Sequence, residues 1–368
     1  MRASLKTILF PLFFCVPSLC SAIGASIERA PPAGGTASDF GLRIEDSWPN
    51  SCAPELDRVE LRGQDLWVIA REVSDTRFCS LLTTRYVIDT RSRADARLAL
   101  DSPGLYRVHY SVESRSGSAL RGFQLMPFGD SLAAAHFPES GYWWADPAGD
   151  LSFAGPGIGM NIESQGGILS AVLFGYDGDG RPEWTLGTGA LGEFSSELGL
   201  SRLSRGSGPR AAYRRPQDVE AIGALLIEPL GPARVAVWIA YIDPETADLS
   251  LRSVQMVRFS FGKTPADSWL GEWLLVLPGD DPSKPISVQF VLDQLRPSPD
   301  GFLLADAPGT VELLCVQEAQ GRERLPELCR LTLIKEGVEF DFDQLGMRRL
   351  QGVDGEGRRV RLISLDAG

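Results

Sequence analysis

Chemistry in this chain has few residues to start from. It has two histidines, His109 and His136. His109 sits in an alternating run, Leu105 to Val112, where a packed or surface ring is expected. No G-x-S-x-G elbow accompanies either histidine, so a serine triad is not supported. Asp177-Gly178-Asp179-Gly180 offers oxygen ligands on a Gly-rich turn, as a calcium loop would. Position 12 counted from Asp177 is Thr188 and not an acid, however, so the segment reads as a hairpin turn, and Asp354-Gly355-Glu356-Gly357 reads the same way. Glu163 and Glu183 flank an aromatic segment and are the only carboxylates worth weighing as a glycosidase pair. No Gly-rich loop opens a helix, which leaves nucleotide binding without a motif. The expectation is no catalytic residue, no metal and no cofactor.

Aromatic residues are the feature above background. Trp143, Trp144, Phe174, Tyr176 and Trp184, with Tyr142, fall within one stretch, either as the core of a module or as a stacking surface for a sugar ring or apolar ligand. The elements that would position them are strands. Ile158, Met160 and Ile162 alternate with Gly159, Asn161 and Glu163, and Ile168 to Tyr176 is nearly continuous apolar after Gly166-Gly167. Trp184, Leu186 and Thr188 resume the alternation beyond the Asp177 turn. Within Ile168 to Tyr176 the larger aromatics Phe174 and Tyr176 share a face, opposite Leu169, Ala171, Leu173 and Gly175. With that face inward, Trp143 or Trp144 and Trp184 would complete an aromatic-lined mouth near the Asp177 turn, suited to a small neutral or apolar ligand or a glycan.

The rest of the chain follows the same period-2 pattern. Residues 39–130 carry about seven short strands with a turn signal between each, the pattern of an immunoglobulin-like sandwich. Residues 136–264 form a meander whose edges are best satisfied by closure into an antiparallel, calycin-like β-barrel. Pro216 to Leu230 is ambiguous between helix and buried strand, and its neighbours' need for a partner favours strand. A third β module covers 267–368, and the Gly-x-Trp that opens it, Gly271-Glu272-Trp273, repeats Gly141-Tyr142-Trp143, pointing to a second barrel or half-barrel. The fold class is all-β.

The N-terminus reads as a signal peptide over 1–22: Arg2 and Lys6, an apolar stretch from Ile8 to Val16, then Cys20-Ser21-Ala22. Cleavage after Ala22 deepens the net charge from −12 to −14, because 1–22 hold two basic residues and no acid. Residues 23–38, rich in Ala, Pro and Gly, read as a disordered leader. No later segment has the roughly 18 apolar residues of a membrane span. The acidic balance argues against nucleic acid, and no basic cluster interleaved with aromatics is read from the chain. Four cysteines remain, in two sequence-local pairs, Cys52 with Cys79 and Cys315 with Cys329, as expected of disulfides in an exported, periplasmic or extracellular protein.

Ser140-Gly141-Tyr142-Trp143, Pro156-Gly157-Ile158-Gly159, Gln165-Gly166, Leu173-Phe174-Gly175-Tyr176-Asp177 and Gly180-Arg181-Pro182-Glu183-Trp184 together resemble a motif of secreted proteobacterial β-proteins, with Pro156 in place of a serine and Leu173 in place of a tryptophan. Trp48-Pro49-Asn50-Ser51-Cys52 with Gly104-Leu105-Tyr106 resembles the sandwich that precedes such modules. The resemblance implies a fold and an exported address, not an activity. The chain is therefore expected to be a non-catalytic binding or interaction protein whose partner is a small molecule, a glycan or another protein. The alternatives are a structural envelope protein and a carboxylate-dependent hydrolase.

Overall fold

A computed structural model describes residues 24–30, 41–73, 78–92, 100, 104–128, 138–146, 158–177, 179–208, 210–243, 248–259, 264–279, 284–316 and 325–365. Within these, helix is confined to one α-turn, α1 (Pro265–Ser268), and one 3-10 turn, Thr90–Ser92. The signal segment, His136, Pro156 and most of the expected strand Arg97 to Leu100 lie outside the described residues. The chain divides into two compact units, one of Met1–Leu100, Val108–Gln124 and Pro244–Leu249, the other of Asp101–Arg107, Leu125–Asp243 and Ser250–Gly368.

Seven strands open the chain: β1 (Ser26–Ala30), β2 (Gly41–Trp48), β3 (Glu55–Arg62), β4 (Asp65–Arg71), β5 (Thr84–Asp89), β6 (Gly104–Ser114) and β7 (Gly117–Phe128). They form two sheets, ordered β1-β2-β5 and β3-β4-β6-β7. Strand β1 corrects the expectation of a disordered leader over 24–30, the rest of the expected leader lying outside the described residues: Ile27 pairs with Ile44, and Ala25, Ile27 and Ala30 are buried. One large apolar residue suffices when the partner strand supplies the register, and averaging over the Pro-Gly stretch that follows hid it. A polar network joins the two sheets. Arg121 Nε donates to Asp46 Oδ2 at 3.1 Å, the Tyr86 hydroxyl donates to the same oxygen at 3.0 Å, and the Tyr86 and Tyr110 hydroxyls meet at 2.5 Å. Burial pushes both tyrosines well above their ordinary pKa, so they remain neutral hydrogen-bonding groups. His109 is packed, as expected: its ring stacks on Trp67 at 4.2 Å and Nε2 lies 2.9 Å from Asp65 Oδ1.

Strands β8 (Gly141–Ala145), β9 (Gly159–Gln165), β10 (Ile168–Tyr176), β11 (Pro182–Ala190), β12 (Ser196–Ser204), β13 (Asp218–Gly231), β14 (Arg234–Ile242) and β15 (Leu249–Arg258) close into an eight-stranded antiparallel barrel, β15 pairing back onto β8. The ambiguous Pro216 to Leu230 segment is strand β13. Gly166 and Gly167, at φ 58° and 80°, make the two-residue turn between β9 and β10, a conformation that glycine adopts without steric cost. The interior is filled by Trp143, Met160, Ile162, Leu169, Ala171, Leu173, Leu198, Leu200, Leu225, Ile227, Val235, Val237, Ile239, Val254 and Met256.

The third module is β16 (Gly271–Leu277), β17 (Ile286–Leu292), β18 (Gln294–Ser298), β19 (Gly301–Ala305), β20 (Val311–Val316), β21 (Leu328–Leu333), β22 (Val338–Leu345), β23 (Arg349–Asp354) and β24 (Arg359–Ser364). Its order, β17-β16-β24-β23-β22-β21-β20-β19-β18, is a nine-stranded, nearly closed barrel. Only Asp293 separates the edge strands β17 and β18, and its N–H reaches Ala305 O at 3.0 Å, so the sheet must curl until its ends approach. Both disulfides form as the spacing predicted, Cys52–Cys79 and Cys315–Cys329; the second joins directly opposed residues of β20 and β21.

Candidate functional site

The sequence-predicted aromatics are not brought together at a mouth. Trp143 is fully buried inside the first barrel, its indole N–H donating to Glu139 O at 3.1 Å. Parity in β10 is opposite to the expectation: Leu169, Ala171 and Leu173 point inward, which places Phe174 and Tyr176 on the outer wall. Phe174 stacks on Tyr142 at 5.6 Å and pairs across the strands with Trp184, which is 49% exposed, while Tyr176 is 58% exposed. Trp144 leans against Phe259 at 6.1 Å. Eight strands enclose an interior just wide enough for side chains to fill, and Trp143 with the aliphatic series already fills it.

Alternation instead delivers a polar ring to the open end of the barrel. In β11, Thr185 is buried and faces inward, and Glu183, two residues earlier, faces the same way at the rim. Thr185 pairs with Arg202 of β12, and Glu183 pairs with Gly175 of β10. On β14, Tyr241 follows the inward Val235, Val237 and Ile239, and stands opposite Gly223 of β13. Gly175 leaves open space at this end, since a Cβ there would meet no atom within 4 Å, whereas Gly223, at φ 154°, is required by the strand itself, because a Cβ there would strike Ala240 O. The resulting pocket is lined by Ile158, Leu173 to Tyr176, Glu183, Thr185, Ile239 and Tyr241, and a second recess beside it by Asp177, Asp179, Glu183 and Arg202.

Arg202 Nε donates to Glu183 Oε1 in a short, charge-assisted contact and Nη1 reaches Glu220 Oε2 at 3.3 Å, which raises the guanidinium pKa and keeps it charged. Burial, with Glu183 nearby, raises the Tyr241 pKa and holds its hydroxyl protonated. Beneath them Thr185 is only 3% exposed, and its buried Oγ1 has no hydrogen-bond partner among the described residues. A hydroxyl in that state costs about 1–3 kcal/mol. The rim thus presents a carboxylate, a guanidinium and the Tyr241 hydroxyl over a floor of Leu173 and Ile239.

Other readings resolve against this geometry. Asp177 Oδ1 accepts the N–H groups of Asp179 and Arg181 at 2.9 and 2.8 Å, and Asp354 Oδ1 those of Glu356 and Arg358 at 3.0 and 2.8 Å. Both are the hairpin turns expected, with their carboxylates used inside the turn. Glu163 is exposed on the outer wall, so it cannot act with the inward Glu183 as a catalytic pair. Among the described residues no three His, Cys, Asp or Glu side chains converge on one point. One sequence expectation needs correction: from Leu198 to Gln217 the chain carries Arg202, Arg205, Arg210, Arg214 and Arg215 with Tyr213 and no acid, a local basic cluster in an acidic protein.

Arg202, Tyr241 and Thr185 were not singled out in the sequence. Their signal is parity within a closed barrel, a polar residue where the apolar inward series ends, and it appears only once closure fixes which face is inside. The chain matches no protein-family model and no curated protein.

Proposed function

We propose that this is an exported, non-catalytic binding protein that holds a neutral, polyhydroxylated group, such as a terminal sugar of a glycan, at the polar mouth of its first barrel. The observation that carries the reading is the polar rim of Glu183, Arg202 and Tyr241 over the apolar floor of Leu173 and Ile239. A sugar hydroxyl would bond to the Tyr241 hydroxyl, with the Glu183–Arg202 pair as matched acceptor and donor. Export, to periplasm or exterior, is supported by the pairing of all four cysteines outside the N-terminal segment, chemistry that belongs to an oxidising compartment. Within this reading the first seven strands are an immunoglobulin-like sandwich and the first barrel is calycin-like. The filled interior below the mouth also suits a structural envelope protein, the second reading.

Two substitutions separate them. Titration of a neutral oligosaccharide panel, followed by tryptophan fluorescence, should show binding that weakens on the order of tenfold in both Glu183→Gln and Tyr241→Phe. Unchanged binding in both variants, or no binding across the panel, would leave the structural reading in place. Thr185→Val removes the buried unsatisfied hydroxyl at constant shape, so stability should hold or rise by about 1 kcal/mol in either case.

A further inference from the structure

Beyond the ends of β12 and β13, residues 205–217, described except at Pro209, form a finger tied by hydrogen bonds. The Gln217 N–H donates to Ser204 O at 3.2 Å, Ser207 N–H to Arg214 O at 3.1 Å, and Ala211 N–H to Gly208 O at 3.1 Å, while Arg214 N–H also reaches Ser207 Oγ at 2.8 Å. One bidentate contact, Arg205 Nε and Nη2 to the two carboxylate oxygens of Asp218, ties the base. The finger is therefore held by its own backbone and this pair.

The finger's side chains are unusual for this protein. The chain as a whole carries a net charge of −12, yet no Asp or Glu occurs between Glu197 and Asp218. Arg202 and Arg205 are matched at the base by Glu183, Glu220 and Asp218. Arg210 and Arg214, further out, are exposed and make no ion pair among the described residues; Arg214 bonds only neutral groups, with Nη2 on Gly206 O at 3.2 Å. Tyr213 between them is 85% exposed. The structure thus spends an ordered hairpin on holding two guanidinium groups and a phenol ring in water, on the strand pair whose lower end supplies Arg202 to the mouth.

We infer that the finger, together with the mouth, binds a glycan chain bearing carboxylate groups. This rests on the sugar-binding reading of the mouth and extends it to the charge of the ligand. Guanidinium groups pair with carboxylates through two parallel N–H donors, and an exposed aromatic ring offers a surface to the apolar face of a pyranose. A uronate chain carries only one charge per sugar, so it can engage the arginines without setting dense negative charge against Asp177, Asp179 and Glu220. Duplex nucleic acid, with one charge per roughly 1.7 Å of axis, would press its phosphates against those acids. An anionic bilayer would do the same, and apart from Tyr213 the finger carries no large apolar side chain to insert into it.

The test uses the full chain, a short linear galacturonic acid oligomer and its neutral galactose counterpart, with calorimetry at low and physiological salt. The acidic oligomer should bind more tightly than the neutral one, and its advantage should shrink as salt rises. Arg210→Glu/Arg214→Glu should weaken the acidic oligomer on the order of tenfold or more while leaving the neutral one within about twofold, and Tyr213→Ala should weaken both. Circular dichroism should be unchanged in these exposed variants. If the neutral oligomer binds and responds to Tyr241→Phe, but the acidic one gains nothing or ignores the charge reversal, the mouth reading survives and the finger proposal falls. Equal or tighter binding of polyphosphate or of phosphatidylglycerol vesicles would overturn it too, as a general anion surface, and so would no binding of either oligomer.

Discussion

The two barrels open with the same device and are completed in different ways. In each, a glycine at positive φ, Gly141 at 122° and Gly271 at 137°, precedes by two residues a fully buried tryptophan, whose indole N–H caps the carbonyl four residues back. The contacts are Trp143 to Glu139 O at 3.1 Å and Trp273 to Trp269 O at 2.8 Å. In both the opening strand is central, paired on one side with the next strand and on the other with the last. Beyond that they diverge. The first closes through its backbone ladder, keeps an almost wholly aliphatic interior and leaves a polar end open. The second leaves its seam unpaired and fills its interior with Trp269, Trp273, Phe290, Phe302, Phe340, Phe342 and the Cys315–Cys329 bridge. A ladder that closes can spare its rim for polar groups, whereas a sheet that does not must hold itself by core volume and a covalent tie.

The largest effect should come from the shared tryptophans. Trp143→Ala and Trp273→Ala each remove a fully buried indole and should cost about 3–5 kcal/mol. Hydrogen exchange resolved by segment should show the loss within the affected barrel. If one substitution is tolerated, the two openings are not the same device. The next effect divides the barrels. Cys315→Ala/Cys329→Ala should cost about 2–4 kcal/mol, with faster exchange throughout β19 to β22 and little change in the first barrel's β10 to β14. Equal loosening of both would mean that the bridge is not specific to the seamed barrel.

The smallest effect concerns the joint between them. Glu139, just before β8, accepts the Met347 and Arg348 N–H groups at 2.9 and 3.0 Å, and its own N–H reaches Pro232 O at 2.9 Å. Burial raises its pKa; the two N–H donors and the nearby Arg258 and Arg349 oppose that shift without cancelling it. A carboxyl raised above its unfolded value contributes its stability in full below that value, about 4.3, and loses it as pH climbs through the folded one. The β22–β23 turn should therefore exchange faster, relative to the rest of the molecule, as pH rises from about 4 toward neutrality, and Glu139→Gln should flatten that dependence. A slope of opposite sign in the wild-type protein would show that the donors outweigh burial.

Much of this comparison was legible in the sequence. The Gly-x-Trp repeat, the two cysteine pairs, the meander and the strand over Pro216 to Leu230 all follow from local pattern, and local pattern is what period-2 reading detects. The orientation of β10 was not. Its two faces were sorted correctly, but which one lies inside depends on how much volume eight strands enclose, and Ser170 on the Phe174 face was the clue to the outward side. The mouth needed more still, since Glu183, Thr185, Arg202 and Tyr241 come from three strands that meet only after closure.

The one-residue link at Asp293 has a consequence for the life of the chain before it is fully folded. A free sheet edge is a template on which another molecule can pair and start an aggregate. The second barrel has two such edges, but the link confines them to the same seam, and one of them, β18, carries Pro297, which has no N–H to offer an incoming strand. A neighbouring molecule would need to enter a slit bounded on one side by a backbone with a missing donor. The protein leaves its sheet open without leaving it available, and self-association through this edge is suppressed by connectivity.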